Sequence, residues 1–391
     1  PNADKLQLAK IYDGKNTLSI VCGAPNIKEG QKIFLATIGT NLPDPNNNSY
    51  FEIKKSKIRG ELSEGMICSE KELGISDDHE GIMVLPNDYE LGASISNYYS
   101  ETILDIDVTP NRVDCLSVVG LARDLSAKFS QRLSFDYQVN YPIEEKTSII
   151  AIEDKDICSR YTGIQIESVN IKESPDWLKK RLISIGERPI NNIVDITNYV
   201  MFEIGQPLHA FDQDKIDASK IYVRKSKSKE KILTLDGQHR ELPKDSIVIA
   251  DKKSPIGLAG IMGGKSSEIT SDTTNVFLEA ANFNSSMIRS TSKKLGLSTE
   301  ASMRFERNLD PKLAIYGLSR AADLIVELAG GKINQKIQDN YPLKTNDQKI
   351  ILNKDKLRNH LGLDISNNQI DQTLDNLNFH STFDEINQIW E

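Results

Sequence analysis

The sequence contains few of the residues that mark metal centres or disulfide-stapled folds. Its 391 residues include four cysteines, and neighbouring cysteines in the sequence lie more than 40 residues apart. This spacing excludes a Cys-x-x-Cys motif and argues against a disulfide scaffold. The five histidines form no His-x-x-x-His or His-Glu-x-x-His pair, so we expect no metal site. We expect a reducing, cytoplasmic setting.

Long apolar runs are also missing. No run approaches the roughly 18 residues that a membrane span needs, and the mean hydropathy is −0.40. The sequence starts at Pro1 with neither Met nor an apolar signal segment, from which we expect that the natural start is absent. We expect no membrane partner.

The net charge of −8 conceals an uneven distribution. Residues 1–60 carry nine Lys/Arg and five Asp/Glu, a net of +4, whereas residues 61–110 carry one Lys and twelve acids, a net of −11. Such asymmetry between neighbouring stretches favours one face for a polyanion and another that repels it. The average charge therefore does not exclude an RNA partner.

The patterning predicts an α+β chain of several domains. Length alone predicts two to three domains. Residues 1–95 alternate short strands with Gly/Pro turns, including strands at 32–39 and 51–54 around a loop at 41–48, which is typical of a small β-barrel. We expect residues 96–150 to form a helical junction and linker. Residues 151–335 are expected to form an α+β domain, and residues 345–391 a partial winged-helix-like domain.

Local signals place elements in the later part of the chain. Asp114 is expected to cap one helix, and Ser174 to cap another with Pro175 in its first turn. Apolar runs predict strands at 220–224, 231–235, 246–250 and 275–280, and Asp236-Gly237 predicts a hairpin turn.

A basic cluster is the first candidate binding site. Lys54, Lys55, Lys57 and Arg59 lie on and just after a strand of the predicted barrel. Cations on a barrel strand can contact phosphates. A solvated strand face is the alternative reading.

Three segments are candidates for a pocket. The stretch Arg188–Asp212 mixes polar groups with small and apolar residues, and its His209 can position a water or be structural. The run Gly257–Gly264 either packs closely in a sheet or forms a wall where a ligand touches the main chain. The segment Leu297–Ser302 is either part of a site or only a helix cap.

Glu279 closes an apolar strand in Phe277-Leu278-Glu279-Ala280-Ala281. Burying an unpaired carboxylate is costly. The side chain therefore either has a partner or ligand, or lies at an exposed strand end.

Longer motifs resemble known families. The runs Pro1–Leu6, Ile20–Asn26, Lys57–Gly60, Ser63–Met66 and Cys68–Gly74 resemble the tRNA-binding OB-fold domain of several synthetases and of stand-alone tRNA-binding proteins. The runs Asp107–Ser117, Arg188–Asp212, Gly260–Gly264 and Arg304–Pro311 resemble bacterial phenylalanyl-tRNA synthetase beta subunits. Order and spacing match throughout, so the chain resembles the N-terminal and editing portion of that subunit, truncated at both ends.

The resemblance implies an α2β2 enzyme that joins phenylalanine to tRNA(Phe) with ATP and Mg²⁺. Its synthetic site lies on the alpha subunit, and this portion of beta carries no cofactor. The beta subunit would hydrolyse tyrosine wrongly attached to tRNA(Phe).

The same resemblance implies the residues of the editing site. Three would be catalytic, namely His209, Arg188 and Thr299, and four would bind the substrate, namely Glu279, Asn198, Gly263 and Ala301. Glu279 would accept a hydrogen bond from the tyrosine hydroxyl. The sequence has Ser298 where the family often has His, and Glu300 where it often has Asp. The alternative is a non-catalytic tRNA-binding or scaffolding protein with a vestigial pocket.

Overall fold

The computed structural model describes residues 6–44, 49–75, 79–99, 102–145, 147–217, 220–344 and 348–391. The chain forms two compact units, Pro1–Thr102 and Ile103–Glu391. Both strands and helices are present, so the predicted α+β class is confirmed. Residues 1–5 of the first tRNA-binding motif, 45–48 of the predicted loop and 345–347 at the start of the predicted last domain lie outside the described residues.

The first unit consists of short strands and one short helix. In the order of the chain they are β1 (Gln7–Tyr12), β2 (Thr17–Cys22), β3 (Lys32–Ile33), β4 (Leu35–Thr37), β5 (Asn41–Pro43), β6 (Tyr50–Glu52), β7 (Ser56–Ile58), β8 (Glu61–Ser63), β9 (Gly65–Ile67), β10 (Val84–Leu85) and α1 (Ser96–Tyr99). Among the described residues these strands pair antiparallel in twos: β1 with β2, β3 with β10, β4 with β9, β5 with β6 and β7 with β8.

Two details of the first unit differ from the prediction. The expected strand at 32–39 is interrupted at Phe34, which is buried between β3 and β4. The expected loop at 41–48 begins with β5, because Leu42 is buried in a small core with Ile53. Pro43 lies at the end of that strand, a position that proline tolerates.

In its described residues the second unit contains two five-stranded sheets, a small three-stranded sheet and a hairpin. Its strands are β11 (Ile143–Glu144), β12 (Ile150–Ile152), β13 (Cys158–Glu167), β14 (Leu208–Asp212), β15 (Ile221–Lys225), β16 (Lys231–Leu233), β17 (His239–Glu241), β18 (Ile247–Ala250), β19 (Pro255–Leu258), β20 (Met262–Gly263), β21 (Asn275–Phe283), β22 (Ile337–Asn340), β23 (Leu352–Asn353), β24 (Phe383–Asp384) and β25 (Ile389–Trp390). The first sheet has the order β11-β22-β13-β21-β14, and the second has β12-β15-β18-β19-β20.

Eight helices accompany these sheets in the described part of the unit. They are α2 (Val118–Lys128), α3 (Asp176–Ser184), α4 (Asn192–Ile204), α5 (Ser285–Leu295), α6 (Glu300–Phe305), α7 (Leu313–Ala329), α8 (Lys354–Leu361) and α9 (Asn367–Asn376). None of the helices in the described ranges combines the length and apolarity that a bilayer crossing demands.

The first sheet is buried on both faces. Its alternate residues, such as Ile164, Leu278 and Ala280, pack against α4 and α7. The residues between them, such as Tyr161 and Phe277, face the second sheet. Because side chains alternate along a strand, a polar residue on the second face is enclosed between two sheets.

Both predicted capping residues of the early helices have other roles. Asp114 lies in a 3-10 turn and binds Arg112, and α2 is capped by Ser117, whose hydroxyl accepts from the Gly120 amide. Ser174 donates to Asp195 at 2.6 Å, and Pro175 is the N-cap of α3 without a side-chain bond. A charged side chain competes with the helix end in each case: the guanidinium of Arg112 for Asp114, and the buried carboxylate of Asp195 for Ser174.

Candidate functional site

The register of three strands brings polar side chains together on one face of the first sheet. His209 on β14 lies directly opposite Glu279 on β21, and Gly163 on β13 lies opposite Glu279 on the other side. Tyr161 is two residues before Gly163 and therefore lies on the same face, diagonal to Glu279. This face meets the second sheet, so Tyr161 and Glu279 are buried, whereas His209 is half-buried.

Glu279 is a buried carboxyl with one internal partner. It lies in the middle of β21 and is 5% exposed. The Tyr161 hydroxyl donates to its Oε2 at 2.7 Å. Burial raises the pKa of Glu279 to about 8, partly offset by the Tyr161 bond, so the carboxyl is mostly neutral at pH 7. The alternative of an exposed strand end is wrong.

Sequence reasoning missed Tyr161. It lies in a long strand of mixed polar and apolar residues, and its distance from Glu279 in sequence gives no sign of contact. Only the pairing of β13 with β21 connects the two side chains.

His209 is the second polar group of the site. The His209 ring packs edge-to-face against the Phe211 ring, with 4.5 Å between the two ring centroids. Desolvation lowers the pKa of His209 to about 4, so the imidazole is neutral at pH 7. A neutral imidazole has one nitrogen that accepts and one that donates, which suits it to hold a water molecule.

Two glycines permit a close approach of the β19–β20 hairpin. A Cβ at Gly263 would lie 2.3 Å from Cε1 of His209, so only glycine fits against that ring. Gly260 has a φ of +66°, and a Cβ there would lie 2.8 Å from the Phe305 ring. Both glycines line the cavity, and both allow close packing against an aromatic ring; whether a ligand touches the main chain here stays a prediction.

Helix α6 supplies the remaining wall. Thr299 is its N-cap, with a hydroxyl that accepts from the Ser302 amide and donates to the Ile261 carbonyl at 3.0 Å. The buried Arg304 anchors the helix through bonds to Glu300 and to the Leu116 carbonyl. The cap interpretation of this segment is confirmed for Thr299, and it fixes α6 against the glycine hairpin.

These elements enclose a cavity of about 70 Å³. This volume is several times the roughly 10–15 Å³ that one water molecule requires. Four of the seven predicted pocket residues line it: His209, Gly263, Glu279 and Ala301. The rest of the wall is mainly apolar, with Phe211, Phe283 and Phe305 among its side chains.

The other three predicted residues are not part of the cavity wall. Arg188 is exposed in the loop between α3 and α4, and Asn198 is half-buried on α4. Thr299 adjoins the cavity through its neighbours Ile261 and Ala301.

The basic cluster of the first unit divides into two pairs. Lys54 lies 3.6 Å from Glu52, and Lys55 lies 2.9 Å from Glu64. Lys57 lies on β7 and Arg59 at the tight turn after it, with a φ of +50°. Within the described ranges, Lys57 and Arg59 form no ion pair, so two of the four cations are available to an anion.

Three possible metal-ligating side chains meet near α2. The described residues Asp114, Cys115 and Asp124 have ligand atoms within 4.8 Å of one another. Arg112 donates to both carboxylates, at 2.8–3.0 Å. The Arg112 guanidinium thus offsets one of the two carboxylate charges, and Arg123 lies 4.0 Å from Asp114.

Comparisons with known proteins agree with this arrangement. One family model, described as "Putative tRNA binding domain", matches residues 1–94, and another, described as "B3/4 domain", matches residues 157–330. The phenylalanine–tRNA ligase beta subunits of Geobacter metallireducens and Geobacter sulfurreducens are each 46% identical over 385 residues, which is 97% of this chain and 47% of each relative.

A solved N-terminal fragment of the phenylalanyl-tRNA synthetase beta subunit from Pyrococcus horikoshii also matches. It has 16% identity and a TM-score of 0.35, covering 72% of this chain and 78% of that chain. A likeness at that level carries no structural argument.

The two domains and the curated relatives define the class as an aminoacyl-tRNA synthetase subunit. More specifically, the chain belongs to the family of phenylalanine–tRNA ligase beta subunits, and the resemblance stated from the motifs is confirmed. The chain spans about half the length of the curated relatives it matches.

Proposed function

We propose that the second unit is an editing domain that hydrolyses tyrosine wrongly attached to tRNA(Phe). The observation that carries this proposal is the buried, mostly neutral carboxyl of Glu279 beside His209 on one face of the sheet, both lining a cavity with aromatic rings in its wall. The apolar wall suits an aromatic side chain. Glu279 suits recognition of the tyrosine hydroxyl, and His209 suits hydrolysis of the ester.

Glu279 is the proposed selector. A site that hydrogen-bonds a hydroxyl rejects the analogue lacking it, because its own buried polar group would be left unpaired. Tyr161 occupies Oε2 of Glu279, which leaves Oε1 for the phenol of a bound tyrosine. Phenylalanine offers no such partner, so correctly charged tRNA would be spared.

Hydrolysis would use a positioned water molecule. His209 would hold it, and the terminal hydroxyl of the tRNA would assist. We assign Arg188 and Asn198 to the acylated RNA end, and Gly263 and Ala301 to the space for the ring. Thr299, assigned to catalysis from the motif, would act by fixing the wall that contains Ile261 and Ala301.

The editing proposal is tested by release of tyrosine from Tyr-tRNA(Phe). We expect His209→Ala to lower the rate by about 100-fold, the lower end for a group that handles a proton in the transition state. Glu279→Ala should abolish the preference for tyrosyl over phenylalanyl ester. His239→Ala is the matched control, since His239 is exposed on β17.

Equal rates for wild type, His209→Ala and Glu279→Ala, with all three folded, would reject the site. That outcome would favour the second candidate, a tRNA-binding or scaffolding protein with a vestigial pocket.

For the first unit we propose an OB-fold that binds tRNA(Phe) through Lys54, Lys55, Lys57 and Arg59. The match to a tRNA-binding family model supports this role. Since Lys54 and Lys55 already have acidic partners, we assign most of the phosphate contact to Lys57 and Arg59.

Charge reversal separates the two pairs of cations. The double variant Lys57→Glu/Arg59→Glu should weaken tRNA binding and reduce its salt dependence by about one unit of slope per lost phosphate contact. The variant Lys54→Glu/Lys55→Glu changes the net charge equally and should have the smaller effect. Equal losses from both variants would indicate a general charge effect, and unchanged affinity a solvated face.

For the whole protein we propose aminoacylation of tRNA(Phe) with phenylalanine in an α2β2 assembly with the alpha subunit, using ATP and Mg²⁺. The names of the relatives support this role. We also propose the domain divisions 1–95, 96–150, 151–335 and 345–391, the last as the start of a winged-helix-like domain. A cytoplasmic setting fits the four free, buried thiols.

A further inference from the structure

We propose that Tyr161 is a positioning residue for tyrosine selection, because it holds the Glu279 carboxyl in one orientation. This inference rests on the proposed editing function. The geometry that carries it is a phenol–carboxyl hydrogen bond of 2.7 Å, made entirely inside the core. No resemblance or motif assigned a role to Tyr161.

Tyr161 approaches Glu279 from behind the cavity. Its side chain is 0% exposed. The Tyr161 ring packs edge-to-face against the Phe283 ring, with 6.5 Å between the ring centroids. Tyr161 is not among the residues that line the cavity, whereas Glu279 is. The phenol binds Oε2 of the carboxyl, and among the described residues no hydrogen bond to Oε1 competes with a ligand.

The packing around Tyr161 leaves little freedom to move. Gly163 is the next residue on the same face of β13. A Cβ added at Gly163 would lie 2.2 Å from the Phe277 ring. The Phe277 ring thus fills the space beside Tyr161. A rigid partner of this kind fixes the direction of the free Oε1, and selectivity depends on that direction.

The same bond affects the ionisation of Glu279. The groups that face Glu279 are Cys158 and Tyr161 from β13 and His209 from β14. The Tyr161 hydrogen bond lowers the pKa of Glu279 against the effect of burial. Removing that bond should move any pH inflection that depends on Glu279 upward.

The test compares Tyr161→Phe with Tyr141→Phe in the full chain. Tyr141 also donates its hydroxyl to a carboxylate, Asp323, at 2.6 Å, and neither residue lines the cavity. Hydrolysis of tyrosyl- and phenylalanyl-tRNA(Phe) is measured from pH 6 to 9, with kcat and KM separated.

For Tyr161→Phe we expect the preference for the tyrosyl ester to fall about tenfold, as loss of one hydrogen bond to a polar group predicts. The inflection assigned to Glu279 should move to higher pH. Tyr141→Phe should keep the wild-type preference and inflection. A Tyr161→Phe variant that matches Tyr141→Phe in both measurements overturns the inference while the editing function stands.

A wild-type chain that releases no tyrosine rejects the editing function, and the role in selection is rejected with it. A spectroscopic measurement tests the contact independently of activity. The infrared carbonyl band of the protonated Glu279, identified by its loss in Glu279→Gln, should move to higher frequency in Tyr161→Phe. If that variant does not fold, a wild-type band at the frequency of a carboxyl without a hydrogen bond overturns the proposal.

Discussion

Alanine in place of Gly263 is expected to lower tyrosine release by about 100-fold while the chain remains folded. The added Cβ would lie 2.3 Å from Cε1 and 2.5 Å from Nε2 of the His209 ring. Such distances are impossible, so the ring must leave its place. Displacement of a catalytic group by about 1 Å can cost a factor of this size.

The fold should tolerate this change. No positive φ is involved at Gly263, and His209 is half-buried, so its ring can turn toward solvent. Gly257 on the paired strand β19 is the matched control, because a Cβ there has no neighbour closer than 3.7 Å. Gly257→Ala should retain most of the activity. A fully active Gly263→Ala variant would show that His209 does not act from its present position.

The second large effect is a pH-dependent gain of stability in Glu279→Gln. In the folded chain, burial raises the pKa of Glu279 from 4.5 to about 8. The unfolded chain therefore loses this proton above about pH 4.5, whereas the folded chain keeps it up to about pH 8. Stability contributed by the protonated carboxyl is present below pH 4.5 and is lost as the pH rises through 8.

The size of this loss follows from the pKa difference of about 3.5. At about 1.4 kcal/mol for each pKa unit, the wild type loses on the order of 5 kcal/mol between pH 4.5 and 8. Glutamine has nearly the same shape and does not ionise. The free energy of unfolding of Glu279→Gln minus that of wild type should therefore be larger, meaning a more stable variant, at pH 8.5 than at pH 5.5.

Denaturant unfolding at the two pH values measures this difference. His209, whose pKa is lowered from 6.5 to about 4 in the folded chain, also changes stability in this range, but it is present in both wild type and variant and therefore cancels in the difference. Glu241→Gln, at an exposed glutamate of β17, is the control and should change stability alike at both pH values. A Glu279→Gln difference that is equal at pH 5.5 and 8.5 would mean that Glu279 ionises freely in the folded chain.

Local signals in the sequence predicted much of the fold of the second unit. The apolar runs near 220–224, 231–235, 246–250 and 275–280 all form strands, and Asp236-Gly237 forms the turn between β16 and β17. These features depend on backbone preferences of a few neighbouring residues, so the sequence contains them directly.

Local signals failed where a distant side chain competed. Aspartate is a common helix-capping residue, yet the carboxylate of Asp114 binds Arg112 and lies near Arg123 instead of capping a helix. Ser174 is drawn away by Asp195 in the same manner. Capping strength is about 1 kcal/mol, which a charged hydrogen-bond partner exceeds.

The sequence by itself determined the family, the strand and helix pattern, and the identity of Glu279, His209 and Gly263 as residues of interest. Only the tertiary structure decided that these three share one cavity with Ala301, that Arg188 and Asn198 lie off its wall, and that Tyr161 binds Glu279. The physical reason is strand register. Glu279 becomes a neighbour of His209, 70 positions away, and of Tyr161, 118 positions away, when β14, β21 and β13 pair, and nothing local in the chain encodes that alignment.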